Sequence, residues 1–149
     1  MPSLNMKYSE KVAVLATLDP ASVPVSTVLT TWVPVANYHS IAAVLQTGVL
    51  GASATVDAKL RQATDSSGTG AKDITGKAIT QILKATGDNK QAMIECRAED
   101  LDSTNGFGYV ALSVTVGTAA SLLSAQLLGV NPRYEPASAF NQAGVVQTV

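Results

Sequence analysis

The sequence predicts an all-β protein: a single-domain antiparallel β-sandwich, jelly-roll-like, of about seven or eight strands with extended N- and C-terminal arms. Three observations carry this expectation. Apolar and polar residues alternate with period two over several stretches. Gly-rich or small-residue turns separate those stretches at short spacing. No chemical motif competes with the pattern. Ala54, Val56, Ala58 and Leu60 interleave with Thr55, Asp57, Lys59 and Arg61. Ala92, Ile94, Cys96 and Ala98 interleave with Met93, Glu95, Arg97 and Glu99. Val110, Leu112, Val114 and Val116 interleave with Tyr109, Ala111, Ser113 and Thr115. A 180° period buries one face of a strand, and it points Val56, Leu60, Ile94, Leu112 and Val114 inward.

The elements follow in order. Residues 1–11 are polar and read as an arm. Val12 to Leu18 is a first apolar run, expected to stop at Asp19-Pro20. Val23 to Val35 is rich in Val and Thr, with Pro24 and Pro34 near its ends. Proline lacks a ladder donor, so this stretch reads as an edge strand or extended chain, anchored by Trp32. His39 to Thr47 is strand-like, and Gly48 to Ser53 is a turn. Thr55 to Ala63 is the clearest strand, ending in the Asp65–Gly70 turn. Lys77 to Lys84 is expected as a strand, although Ala78, Ile79, Ile82 and Leu83 would also suit a helical turn. Gln91 to Ala98 and Phe107 to Thr118 are strands. The joint from Glu99 to Gly106 has room for one helical turn before its Asn-Gly signal. Leu122 to Val130 is the last strand, ended by Asn131-Pro132. The body is thus 12–130, with arms 1–11 and 131–149.

Composition narrows the function classes. The chain has 149 residues, 46% of them hydrophobic and only 14% charged, against a usual ~25% charged. A surface so poor in charge is open to cover by a partner. Net charge is -1 and the ten basic residues form no cluster, so the footprint of a nucleic-acid binder is missing. No run of ~18 apolar residues points to a membrane span. Met1 to Lys7 lacks the apolar core of a signal peptide, which predicts a chain made in a cytoplasm. Cys96 is the only cysteine and His39 the only histidine, so neither a disulfide nor a protein-only Cys/His metal site is expected. Cys96 reads as a small buried hydrophobe.

Candidate motifs are weak. Five residues separate Gly70 from Gly76 where a phosphate loop wants four, and Ala78 follows Gly76-Lys77 instead of Ser or Thr. The Gly68–Lys77 stretch therefore reads as a mobile hairpin loop. Glu99, Asp100, Asp102 and Asn105 only faintly echo a calcium loop and lack the EF-hand spacing. His39 reads as a rim histidine, and no Gly-x-Ser-x-Gly elbow accompanies it. Catalytic residues, cofactors and metals are accordingly expected to be none. Among the aromatics, Trp32 and Phe107 read as core. The tail carries Arg133 and Glu135 and then no charge to Val149. Arg133, Tyr134 and Phe140 in this arm, with Tyr8 in the first, are the candidate partner-binding residues.

Residues Gly51 to Leu60, Ala63-Thr64-Asp65 and Gly68 to Ile74 resemble a family of small virion structural proteins encoded by tailed bacteriophages and prophages. Arg97 to Asp102 and Asn131 to Tyr134 are similar too, and the resemblance spans roughly residues 8–138. It implies a non-enzymatic particle component, a head decoration (cement) protein on the capsid surface. Its partners would be the major capsid protein and further copies of itself, with a trimer favoured, and neither nucleic acid nor membrane. The alternatives are a tail or neck component and a carbohydrate-binding module that uses Tyr38, Tyr109 or Tyr134 as stacking platforms. A hydrolase ranks behind these.

Overall fold

The computed structural model describes residues 5–149, so the portion of the first arm at positions 1–4 lies outside the described residues. The long strands are β1 (Val12–Val23), β4 (Tyr38–Thr47), β5 (Thr55–Ala63), β6 (Lys72–Ala78), β8 (Gln91–Arg97), β9 (Tyr109–Gly117) and β10 (Ser121–Pro132). Shorter ones are β2 (Ser26–Leu29), β3 (Val33–Pro34) and β7 (Ile82–Leu83), and single helical turns are α1 (Tyr8–Lys11) and α2 (Lys84–Gly87). The first sheet has the order β1-β10-β4-β8 and the second β2-β9-β5-β6, with β3 also on β9 and β7 on β5. Every pairing is antiparallel. The first strand lies beside the last, and along β1, β2, β4, β5, β6, β8, β9 and β10 the chain changes sheet at every step but β5 to β6. This is the double Greek-key order of a jelly roll, as the alternation predicts.

The core lies between the two sheets. Val56, Leu60, Leu112 and Val114 are fully buried and Ile94 is 7% exposed, so the expected register holds. Cys96 is buried on the same inner face. Ile41, Ala43 and Leu45 of β4 and Leu123, Ala125 and Leu127 of β10 supply the opposing layer.

Several expectations are corrected. The first strand does not stop at Asp19-Pro20 but runs to Val23. It is an edge strand, so Pro20 needs no ladder partner on its outer side, and a register shift between Leu18 and Ala21 absorbs the irregularity. The stretch from Val23 to Val35 is an edge, but one broken in two. At the break Thr30 is buried; its N–H donates to the Leu112 carbonyl and its hydroxyl accepts from the Leu112 N–H, each at 3.0 Å. The side chain thus replaces the lost backbone partner. The Gly68–Lys77 stretch is not a hairpin loop, because β6 begins at Lys72 and only Asp65 to Gly70 turns. Lys77 to Lys84 is not one strand: Ile82–Leu83 pairs briefly with β5 and leads into α2.

Trp32 and Phe107 are half-buried rather than core. Trp32 lies under the Asp65–Gly70 turn, where a Cβ on Gly68 would fall 2.5 Å from its Nε1. Gly68 also has φ +83°, so two independent reasons require glycine there. Phe107 carries the Lys72 ammonium 4.2 Å above its ring, a cation–π contact.

Candidate partner-binding face

The two outer sheet faces differ in chemistry. On the second sheet, Asp57, Lys59 and Arg61 of β5 stand outward against Thr115, Ser113 and Ala111 of β9. Asp73 accepts from Lys59 Nζ at 2.9 Å and Arg61 Nε at 3.0 Å. The Lys59 hydrogen bond is the main reason its carboxyl titrates below the ordinary range, with Arg61 adding to it. Gln81 donates to Asp57 at 2.8 Å. This face carries a ladder of charges from β5 to β6, while Ser113 and Ala111 of β9 lie covered beneath it and Leu29 of β2 is exposed beside them.

The outer face of the first sheet is apolar. One cross-strand row reads Val14, Leu128, Ala42, Glu95; the next reads Val12, Val130, Ser40, Arg97. A third reads Thr17, Gln126, Val44, Met93. Charge enters at β8, through Glu95 and Arg97, and at the far end of β1, where Asp19 accepts from the Thr17 hydroxyl at 2.9 Å. Met93 is 70% exposed and Leu122 46%. Two hollows open on this face. One, of about 410 Å³, is lined by Ser40, Ala42, Glu95, Cys96, Arg97 and Val130, with Lys77 and Asp100 at its rim. The other, of about 400 Å³, lies at the opposite end between Pro20, Ala21, Gln46 and Leu122. Burial pushes the Cys96 thiol up to about 11, so at neutral pH it is protonated and unreactive.

The predicted partner residues separate. Phe140 packs inside the chain: its ring meets Tyr38 edge to face at 6.1 Å and 83°. Ala137 beside it is fully buried. The Val14 N–H donates to Asn141 Oδ1 at 2.9 Å, and the Gln142 N–H donates to the Val14 carbonyl at 2.8 Å. The second arm is therefore docked on β1 as far as Gln142. Tyr8 and Tyr134 are exposed, at 65% and 68%. Arg133 donates through Nε to the Ala36 carbonyl at 2.8 Å and lines a hollow with His39, Arg97 and Glu99. The two ends of the body meet, because α1 lies against the Ala137–Phe140 turn and Lys11 pairs with Glu135.

The sugar-stacking candidates are also placed. Tyr38 is 2% exposed, wedged over Gly129, and cannot act as a platform. Burial raises its phenol above the ordinary value. Tyr109 is half-buried. In the acidic joint, Glu99 pairs with Arg97, Asp100 accepts from the Arg97 N–H, and Asp102 accepts from Lys72 and Asn105. The Lys72 bond, with the Asn105 bond behind it, holds the Asp102 carboxyl below its ordinary range. These acids are thus engaged with neighbours in the fold.

Sequence reasoning missed the apolar face, although its signal was present. Residues on both faces are apolar in β1 (Val12-Ala13-Val14-Leu15), β4 (Ile41 to Leu45) and β10 (Leu127-Leu128). Such continuous runs mark strands covered on both sides. No protein-family model matches the chain, and no curated protein matches it in sequence. Among solved structures, the SPBc2 prophage-derived protein YomS has TM-score 0.46 and 8% identity, over 83% of this chain and 98% of that one. A chain of the Triatoma virus empty capsid has TM-score 0.46 and 9% identity, over 83% and 89%. The CBM22-2 xylan-binding domain of Paenibacillus barcinonensis Xyn10C has TM-score 0.45 and 9% identity, over 84% and 89%. At such identities the likeness is one of architecture.

Proposed function

We propose that this chain is a non-enzymatic virion structural protein: a head decoration protein that lays the outer face of its first sheet on the major capsid protein of a bacteriophage. The observation that carries the reading is the contrast between the two outer faces. A face bearing Val12, Val14, Ala42 and Val44, all only partly buried, with Met93 and Leu122 exposed, is costly to leave in water and gains by being covered. Each such side chain fully removed from water contributes about 1.5–3 kcal/mol. Weak single contacts then add up when many copies bind a repeating shell. The residues that resemble phage virion proteins supply the choice of partner.

Co-sedimentation of the chain with capsids that lack it tests the reading. Val44→Glu places a charge in the middle of the face on an outward side chain, so the fold is retained and binding falls at least about tenfold. Lys59→Glu, on the second sheet, binds as the native chain does. Native-like binding by Val44→Glu would overturn the assignment of the face.

A further inference from the structure

The outer face of the second sheet is hollow near its centre. One cross-strand row there reads Leu29, Ser113, Lys59, Ala78, and the next reads Thr27, Thr115, Asp57. Ser113 stands between the inward Leu112 and Val114, so its own side chain points outward. It is the short member of a row whose neighbours Leu29 and Lys59 are long, and it is only 4% exposed. The hollow above it measures about 320 Å³, with walls of Asp57, Lys59, Ser113, Thr115, Ala78 and Ile79. The irregular stretch of β6, where pairing passes from Lys59–Ala78 to Arg61–Asp73, sets the last two at the side of the hollow. The Ile79 N–H donates to the Ala58 carbonyl at 3.0 Å and fixes that wall.

The Ser113 hydroxyl has no hydrogen-bond partner among the described residues. None of their sealed side-chain polar atoms is left unsatisfied, so Ser113 Oγ opens into the hollow. The other polar groups of the walls are held without being used up. Asp57 accepts from Gln81 at 2.8 Å on Oδ2, which leaves Oδ1 to accept again. Lys59 donates to Asp73 at 2.9 Å, and its ammonium carries further protons. The Thr115 and Thr27 hydroxyls share one hydrogen bond at 2.8 Å, and each keeps a lone pair. We propose that this hollow binds one ring of a neutral saccharide, with the Ser113 hydroxyl at its base.

The chemistry of the walls selects the class. An anion entering the hollow meets the Asp57 carboxylate and a cation meets the Lys59 ammonium, so a charged ligand is attracted by one and repelled by the other. A neutral hydroxyl both donates and accepts, so it satisfies Asp57, Lys59 and Ser113 alike. Adjacent hydroxyls on one ring do so together, while the C–H groups of the ring cover the half-buried Ile79 and the exposed Ala78. A purely apolar ligand leaves the polar groups unpaired, which is costly. The volume is at the small end of ligand pockets, which suits a single ring and leaves any linked ring outside. Tyr38, Tyr109 and Tyr134 take no part in the walls. The site goes beyond the proposed function. It lies on the sheet that does not meet the capsid in that reading, so its test uses the chain alone and the two fail separately.

Nuclear magnetic resonance of the isotope-labelled full chain tests it, with the methyl glycosides of glucose, galactose, mannose and N-acetylglucosamine titrated to millimolar concentration. At least one glycoside shifts the amides of Asp57, Lys59, Ala78 and Ser113 saturably. Ser113→Ala removes a hydroxyl that bonds nothing in the protein, so it keeps the native melting temperature and binds that glycoside about three- to tenfold more weakly. Asp57→Asn, which keeps an oxygen for Gln81, weakens binding too. Val44→Glu, on the first sheet, binds the glycoside as the native chain does. No shift with any glycoside, shifts centred elsewhere on the chain, or equal binding by Ser113→Ala overturns the proposal. Tighter binding of glucosamine or glucuronate at the same amides overturns it as well, because the site would then be one for a charged ligand.

Discussion

Replacing Phe140 by alanine separates a docked C-terminal segment from a free arm. Phe140 meets Tyr38 edge to face, Tyr38 is 2% exposed, and the neighbouring Ala137 is fully buried. A fully buried Phe→Ala change costs about 3–5 kcal/mol. Phe140 is half-buried, so about half of that, roughly 2 kcal/mol, is expected, and it includes the ~0.5–1.5 kcal/mol of the aromatic pair. For a chain of this length each kcal/mol moves the melting temperature by about 2–4 °C, so the drop should be about 4–8 °C. Thermal unfolding followed by circular dichroism at fixed protein concentration reads it. A double-mutant cycle with Tyr38→Leu should show coupling, because either change removes the same ring contact. A loss below about half a kcal/mol, the scatter of surface changes, would refute the docking. Residues 133–142 would then be an arm in solution after all.

Leu112→Ala, at a fully buried position, should cost about 2–5 kcal/mol in denaturant unfolding; a surface-like loss would place the β9 register one residue off. Gly129→Ala would set a Cβ 2.5 Å from Tyr38 Cε1, and since Tyr38 is pinned by Phe140 the variant should lose about 1–3 kcal/mol. In acid, Asp73, Asp88 and Asp102 sit below their ordinary 3.8 because Lys59, Lys84 and Lys72 bond them. Their contribution is present above the unfolded value and lost as pH falls through the lower folded one, so stability should drop below about pH 4, and less steeply in Asp73→Asn. In alkali the sign reverses. The Cys96 thiol moves from 9.0 to about 11, so its contribution is full below pH 9 and lost as the unfolded chain ionises between 9 and 11. Cys96→Ala should flatten that limb, leaving the part due to Tyr38; an unchanged slope would mean that Cys96 is solvated.

The parts of the fold legible in the sequence are those where one face is wet. Thr55–Ala63 and Gln91–Arg97 alternate because one side meets core and the other meets charge or solvent, and the inward parity of Tyr109–Gly117 was legible too, although its Ala111 and Ser113 are covered as well. The Glu99–Gly106 joint was legible too, since its helical turns end at Gly106 with φ +82°. What was hidden depends on contacts far apart in the chain. Asp19-Pro20 reads locally as a stop, but an edge position lets β1 continue through it. Trp32 reads as core by size, yet it is held by a turn more than thirty residues on. The C-terminal segment has no periodicity, because Ala137, Phe140 and Asn141 each meet a different element, namely the core, Tyr38 and Val14. The candidate face was obscured for the opposite reason. In β1, β4 and β10 both parities are apolar, so no alternation marked which side faces out.

The most direct measurement is a cryo-electron microscopy map of phage capsids incubated with the chain. The expected result is sandwich-shaped density on the outer shell, with Val44 and Met93 of the first sheet turned toward the major capsid protein and the Lys59–Asp73–Arg61 ladder turned to solvent. Capsids without added density, or density with the charged second sheet against the shell, would contradict it.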